Sequence, residues 1–154
     1  MNAKQRQVKA DIIKLAEIIG VDPPLGCAIA EVESSFGINQ KSPTGCLGVF
    51  QMSSIAMKDL FQEMSRADHG DVGYLLLRLL ARRYGHTAIK DLLWEMAKVD
   101  DELADIICGL LFLRLLLKRH KTIEAAVAKY CDPKDRHFYV PKVMNIIKNW
   151  GIGE

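Results

Sequence analysis

Apolar positions recur along most of this chain at the three- and four-residue spacing of amphipathic helices. Residues 3 to 19 form the first such pattern. Val8, Ile12, Leu15 and Ile19 share one face, Lys4, Lys9 and Lys14 lie off it, and Gly20 ends it. Asp22-Pro23-Pro24 opens a second helix, with Asp22 as its cap and proline tolerated in the first turn. Its stripe runs Leu25, Ile29, Val32, Phe36, and Gly37 supplies the stop. A third helix is predicted from Gln51 to about Met64, with Ile55, Leu60, Phe61 and Met64 inward, and residues 65 to 70 are a turn.

Residues 72 to 84 are helical, with Val72, Leu75, Leu76, Leu79 and Leu80 apolar and Arg78, Arg82 and Arg83 around the outer side. Thr87 is placed to cap a further helix through Ile89, Leu92, Leu93 and Met96. Trp94 on it reads as core, with a sugar-stacking ring as the alternative. Leu103 to Lys118 is apolar nearly all round and should be the central buried helix, its start marked by Asp100-Asp101-Glu102. Thr122 caps a segment whose Ile123, Ala126, Val127 and Tyr130 face inward, and Cys131-Asp132-Pro133 breaks it. A last helix is expected to begin near Pro141 and stop at Gly151. The fold class is all-α, and 154 residues with 49% hydrophobic content suffice for one domain, 1–154, with a real core.

Composition narrows the function classes. A net charge of +2 argues against a nucleic-acid partner. The first twenty residues hold charges at short intervals and no apolar h-region, so no secretory signal is expected. Ile106 to Leu117 is too short to span a bilayer and contains Arg114, so no membrane insertion is expected either. The four cysteines, Cys27, Cys46, Cys108 and Cys131, have no Cys-x-x-Cys pairing and read as reduced, buried small residues. Asp68, His69 and Asp71 lie close in sequence, but a solvated loop is the expected reading, with no metal and no cofactor.

The chemistry concentrates between residues 28 and 53. At 100° per residue Glu33 sits beside Ile29 and Leu25, whereas Glu31 points to the opposite face. Apolar neighbours and the negative end of the helix dipole both disfavour charge on Glu33 and should raise its pKa. A carboxylic acid still protonated near neutral pH is what general acid catalysis needs. Ser42-Pro43-Thr44-Gly45 is turn chemistry, Gly45 and Gly48 let backbone approach a ligand, and Gln51 offers an amide just inside the next helix.

Glu33-Ser34, followed by Ser42-Pro43-Thr44-Gly45-Cys46-Leu47-Gly48-Val49-Phe50-Gln51, resembles the core signature of lytic transglycosylases. That pattern is Glu-Ser, then Ser-x-x-Gly-Ala-x-Gly-Leu-Met-Gln; Cys46, Val49 and Phe50 are the departures. Later blocks are similar too: Asp101-Glu102-Leu103 through Gly109 and Phe112-Leu113, then Ala125 to Cys131 with Tyr130 kept, then Tyr139-Val140 with Lys142-Val143. Asp105 and Cys131 stand where Asn is usual, and Phe112 where Tyr is usual. The piece between Gln51 and Asp101 is longer than in compact members, which marks 65–98 as an extra helical insertion and leaves 1–20 as an N-terminal packing helix.

The resemblance implies a lysozyme-like helical fold acting on peptidoglycan glycan strands. Glu33 would be the acid and then the base, forming a 1,6-anhydromuramic product without a metal. Ser34 would hold the loop or contact a sugar, Gln51 with the backbone at Gly48 and Val49 would grip N-acetyl groups, Phe50 would also bind substrate, and Tyr130 would bring its hydroxyl near Glu33. Ser42, Gly45 and Tyr139 would support the site. A monomer is expected, made in a host cytoplasm and reaching the wall after holin-type release or in a virion. Two alternatives stay open. One is a goose-type muramidase using water and a second carboxylate, for which Asp59 and Glu63 are the nearest downstream candidates although both read as helix surface. The other is a non-catalytic tail or wall-binding protein. A helical DNA-binding module is a distant third.

Overall fold

The computed structural model describes residues 1–38, 48–96 (the side chain of Trp94 aside) and 101–151. Among these the regular structure is entirely helical: α1 (Ala3–Ile19), α2 (Pro23–Ser34), α3 (Ser54–Ser65), α4 (Val72–Arg83), α5 (Leu92–Met96), α6 (Glu102–His120), α7 (Ile123–Tyr130) and α8 (Arg136–Lys148), with single 3-10 turns at Ile89–Asp91 and Pro133–Asp135. No helix among the described residues is long and apolar enough to cross a membrane.

The central element is α6. Twelve of its residues are buried, because its apolar positions occupy nearly the whole circumference. Asp101 caps it by accepting from the Ala104 amide and also accepts from the Tyr84 hydroxyl, which ties the end of α4 to the start of α6. Helices α1, α3, α4 and α7 pack on α6, while α2 packs on α1 and α8, and α8 on α7. That arrangement puts the last turn of α2 beside α8.

Several local expectations change. Asn2 and Gln5 close a reciprocal capping box on α1, and Ala16 rather than Leu15 completes its core face. Asp22 makes no side-chain cap to α2. Phe36 lies beyond the end of α2, although it is buried. Helix α3 begins at Ser54, capped by Ser53, so Gln51 precedes it in a turn with φ 49°. Ile55 points to solvent at 81% exposure, and Met57 takes its place inside. On α4 the buried face is Gly73, Leu77, Leu80 and Ala81, which turns Leu75 and Leu79 outward. Thr87 caps nothing: Ala88 precedes the 3-10 turn, and the Thr87 carbonyl accepts from Arg78. Helix α8 starts at Arg136 and carries Pro141 inside it, since the 3-10 turn at Pro133–Asp135 already sets the chain winding.

Cys27 and Cys108 are buried, as expected, but Cys131 is only half-buried. Cys46 and the Trp94 side chain lie outside the described residues. In the turn after α3, His69 stacks on Tyr74, and Asp71 caps α4 while pairing with Arg114. Those contacts use both side chains structurally.

Candidate active site

Glu33 is in the last turn of α2, next to a sharp reversal. Ser35, Phe36 and Gly37 all adopt the left-handed region, at φ 51°, 55° and 88°. Two of these are not glycine, so something must hold them there. Helix α1 does part of this: the Gln5 amide donates to the Ser35 carbonyl at 3.1 Å and Lys4 Nζ to the Gly37 carbonyl at 3.2 Å. Ser34 does the rest. Its buried hydroxyl accepts from the Gly37 amide at 2.9 Å and donates to the Val49 carbonyl at 2.6 Å. Of the two roles expected for Ser34, its contacts serve the loop rather than a sugar.

The segment from Gly48 to Gln51 is equally constrained. Val49 and Phe50 are buried, so their side chains are anchors and not sugar contacts. The Phe50 carbonyl accepts from the Tyr130 hydroxyl, and the Gly48 carbonyl accepts from the Gln51 backbone amide at 3.3 Å and side-chain amide at 2.9 Å. Gly48 has φ 87°, and a Cβ there would stand 2.4 Å from the Asp105 carboxylate, so only glycine fits. Asp105 is itself buried, on the α6 turn beneath. Ser42 and Gly45 lie outside the described residues.

A cavity of about 650 Å³ opens beside this frame. Four of the residues expected at the site line it: Glu33, Gln51, Tyr130 and Tyr139. Burial raises the pKa of Glu33, and the Tyr139 hydroxyl pulls it back in part. That phenol is buried and faces the Glu33 carboxyl without closing a well-formed hydrogen bond. Burial and then the neighbouring carboxylate push its own pKa up, so it keeps its proton and remains a donor. The acid therefore has a low-dielectric setting, one adjustable donor and an open approach.

The cavity wall also holds residues outside the expected site. Cys131, Asp132, Lys134 and Asp135, from the corner between α7 and α8, line it too, and Ile55 and Phe112 add apolar surface. The Cys131 thiol is raised by burial and feels both Asp135 and Glu33. The signal in the sequence is Cys131-Asp132-Pro133 directly after Tyr130: a break that follows a site residue must lie near the site. Asp59 and Glu63, the downstream carboxylates considered first, are engaged elsewhere. Arg119 holds Asp59 at 2.6 and 2.9 Å and Glu63 at 3.5 Å.

Compared with protein-family models, with curated proteins and with solved structures, the chain matches none of them.

The Ser34 hydroxyl gives a direct test of the frame. Ser34→Ala leaves the Gly37 amide and the Val49 carbonyl without this partner inside the protein. It should lower unfolding stability by about 1–3 kcal/mol, read as a lower urea midpoint at unchanged slope. An unchanged midpoint would mean that these bonds do not hold the turn.

Proposed function

We propose that the cleft binds a peptidoglycan glycan strand, on a lysozyme-like helical fold, and that Glu33 cleaves the β-1,4 bond between N-acetylmuramic acid and N-acetylglucosamine. The observation that carries this reading is a carboxyl group raised in pKa by burial at the wall of an open cavity of about 650 Å³, facing the Tyr139 phenol. The motif around Glu33 and Gln51, which resembles lytic transglycosylases, supplies the substrate class.

In the proposed reaction, protonated Glu33 gives its proton to the glycosidic oxygen, and the bond from that oxygen to the muramic anomeric carbon breaks. The muramic C6 hydroxyl attacks the same carbon and forms the 1,6-anhydro bond, while its proton passes to the Glu33 carboxylate. The acid is regenerated and no water is consumed. A tethered nucleophile gains from proximity, so one carboxyl group suffices. Tyr139 stabilises the carboxylate between the two proton transfers, and the frame of Ser34, Val49, Phe50 and Tyr130 fixes where Glu33 and Gln51 stand.

A second reading has its own support. Asp132 and Asp135 line the same cavity, and a carboxylate across the bond from the acid could direct water in a hydrolytic muramidase. Mass spectrometry of muropeptides released from purified peptidoglycan separates the two, because the anhydro product lacks one water. Anhydro products are expected. Hydrolysed ends would favour the muramidase, and an intact wall would leave a non-catalytic wall-binding protein. The resemblance and the wall substrate fit a phage setting.

A further inference from the structure

Helix α4 carries a surface that the Glu33 cleft does not use. Leu75 and Leu79 stand one turn apart and are 49% and 63% exposed. Arg78 and Arg82 are interleaved with them at helical spacing, and His69 stacked on Tyr74 at 4.4 Å extends the ledge. These six residues line a shallow depression of about 500 Å³. Five belong to α4 itself, so the surface is one helix face and not a groove between two walls. None of the six lines the cavity at Glu33.

We propose that this face docks the protein on an anionic lipid bilayer. Charge selects the occupant. Arg114 and Arg119 on α6 are paired with carboxylates, but among the described residues neither Arg78 nor Arg82 has an ion-pair partner. Arg78 donates only to the Thr87 carbonyl. A second copy of this chain would bring arginines against arginines. An amphipathic peptide helix needs two walls to bury its apolar side, and α4 offers one. A bilayer needs neither: the leucines enter the headgroup boundary and the guanidinium groups meet lipid phosphates, with their apolar stems lying along the same surface.

The test is co-sedimentation of the whole protein with vesicles of phosphatidylglycerol and phosphatidylcholine, against vesicles of phosphatidylcholine alone. Binding to the anionic vesicles, weakening as salt is raised, is expected, with little on the neutral ones. Removing each guanidinium should weaken binding about fivefold, so Arg78→Ala with Arg82→Ala should lose about 25-fold, the two steps multiplying. Leu75→Ser with Leu79→Ser should weaken binding even at low salt. Thermal unfolding at the wild-type temperature shows that each variant is folded; a variant that fails this is replaced by Arg78→Gln with Arg82→Gln, or by Leu79→Ser alone. Absence of sedimentation with anionic vesicles overturns the proposal. So does equal binding to neutral vesicles, wild-type binding by the folded variants, or binding of a polyglutamate peptide in place of vesicles. Peptidoglycan cleavage is read separately, so failure of one proposal is distinguishable from failure of the other.

Discussion

Glu33→Gln should lower turnover on purified peptidoglycan by about 10²- to 10⁴-fold and at the same time make the protein more stable at neutral pH. Both effects come from the same carboxyl group. Glutamine has nearly the shape of glutamate and can still accept from the Tyr139 phenol, but it has no proton to give. The stability change follows from linkage. Burial raises the Glu33 pKa above its ordinary value of 4.5, so the native state keeps this proton where the unfolded chain has released it. Across that window the native state binds more protons, and stability falls as pH rises from the ordinary value through the raised one. Above the window the deficit is constant. Glutamine never ionises, so the urea midpoint of the variant should exceed that of the wild type at pH 7 and meet it near pH 4. Near-normal wall lysis by the variant would reject Glu33 as the acid. Equal midpoints at pH 7 would reject a carboxyl whose pKa is raised by burial, whatever the activity.

This acid was legible in the sequence because its environment is local. Leu25 and Ile29 lie on the same helix within two turns of Glu33, so periodicity alone sets its neighbours. The same holds for α1, α6 and α7, whose ends are marked by Gly20, by Asp100-Asp101-Glu102, and by Thr122 with Cys131-Asp132-Pro133. The faces of α3 and α4 were harder to read. In the run Leu75-Leu76-Leu77 every register has an apolar residue, and only packing against α6 decides that Leu77 goes inside and Leu75 outside. Ile55 looked like a core residue for the same reason. The part of the cavity wall formed by residues 131–135 was not legible. Asp132 and Asp135 reach it only through the corner between α7 and α8, whose 3-10 turn depends on Asp132 capping the Lys134 amide. Pro141 suggested a helix start, yet the turn before Arg136 had already begun the winding. The role of α1 was also hidden, since Gln5 and Lys4 hold the turn after Ser34 across some thirty residues.

Gly109→Ala should damage both stability and activity, although alanine is the better helix former. The gain in helix propensity is about 1 kcal/mol. Against it stands a new Cβ that would sit 2.3 Å from Phe50 Cγ and 2.6 Å from Phe50 Cβ. Those atoms are next to backbone and cannot swing aside, and Phe50 is only 1% exposed, so the ring has nowhere to go. The segment would have to move instead. That displaces the Phe50 carbonyl from the Tyr130 hydroxyl and the Val49 carbonyl from Ser34. Overpacking of this kind costs about 1–3 kcal/mol, so the net change should be a loss of up to about 2 kcal/mol once the propensity gain is subtracted. Activity should fall further than stability alone explains, by about tenfold or more, because a small displacement of positioning groups is costly in rate. Gly26→Ala is the matched control. Its Cβ would meet Leu110 Cδ2, the far end of a flexible side chain, at 2.9 Å, and Ile12 Cγ2 at the milder distance of 3.2 Å. It should unfold near the wild-type midpoint and retain muropeptide release. If Gly109→Ala unfolds at or above the wild-type midpoint, the Phe50 anchor is not what holds the far side of the Glu33 frame.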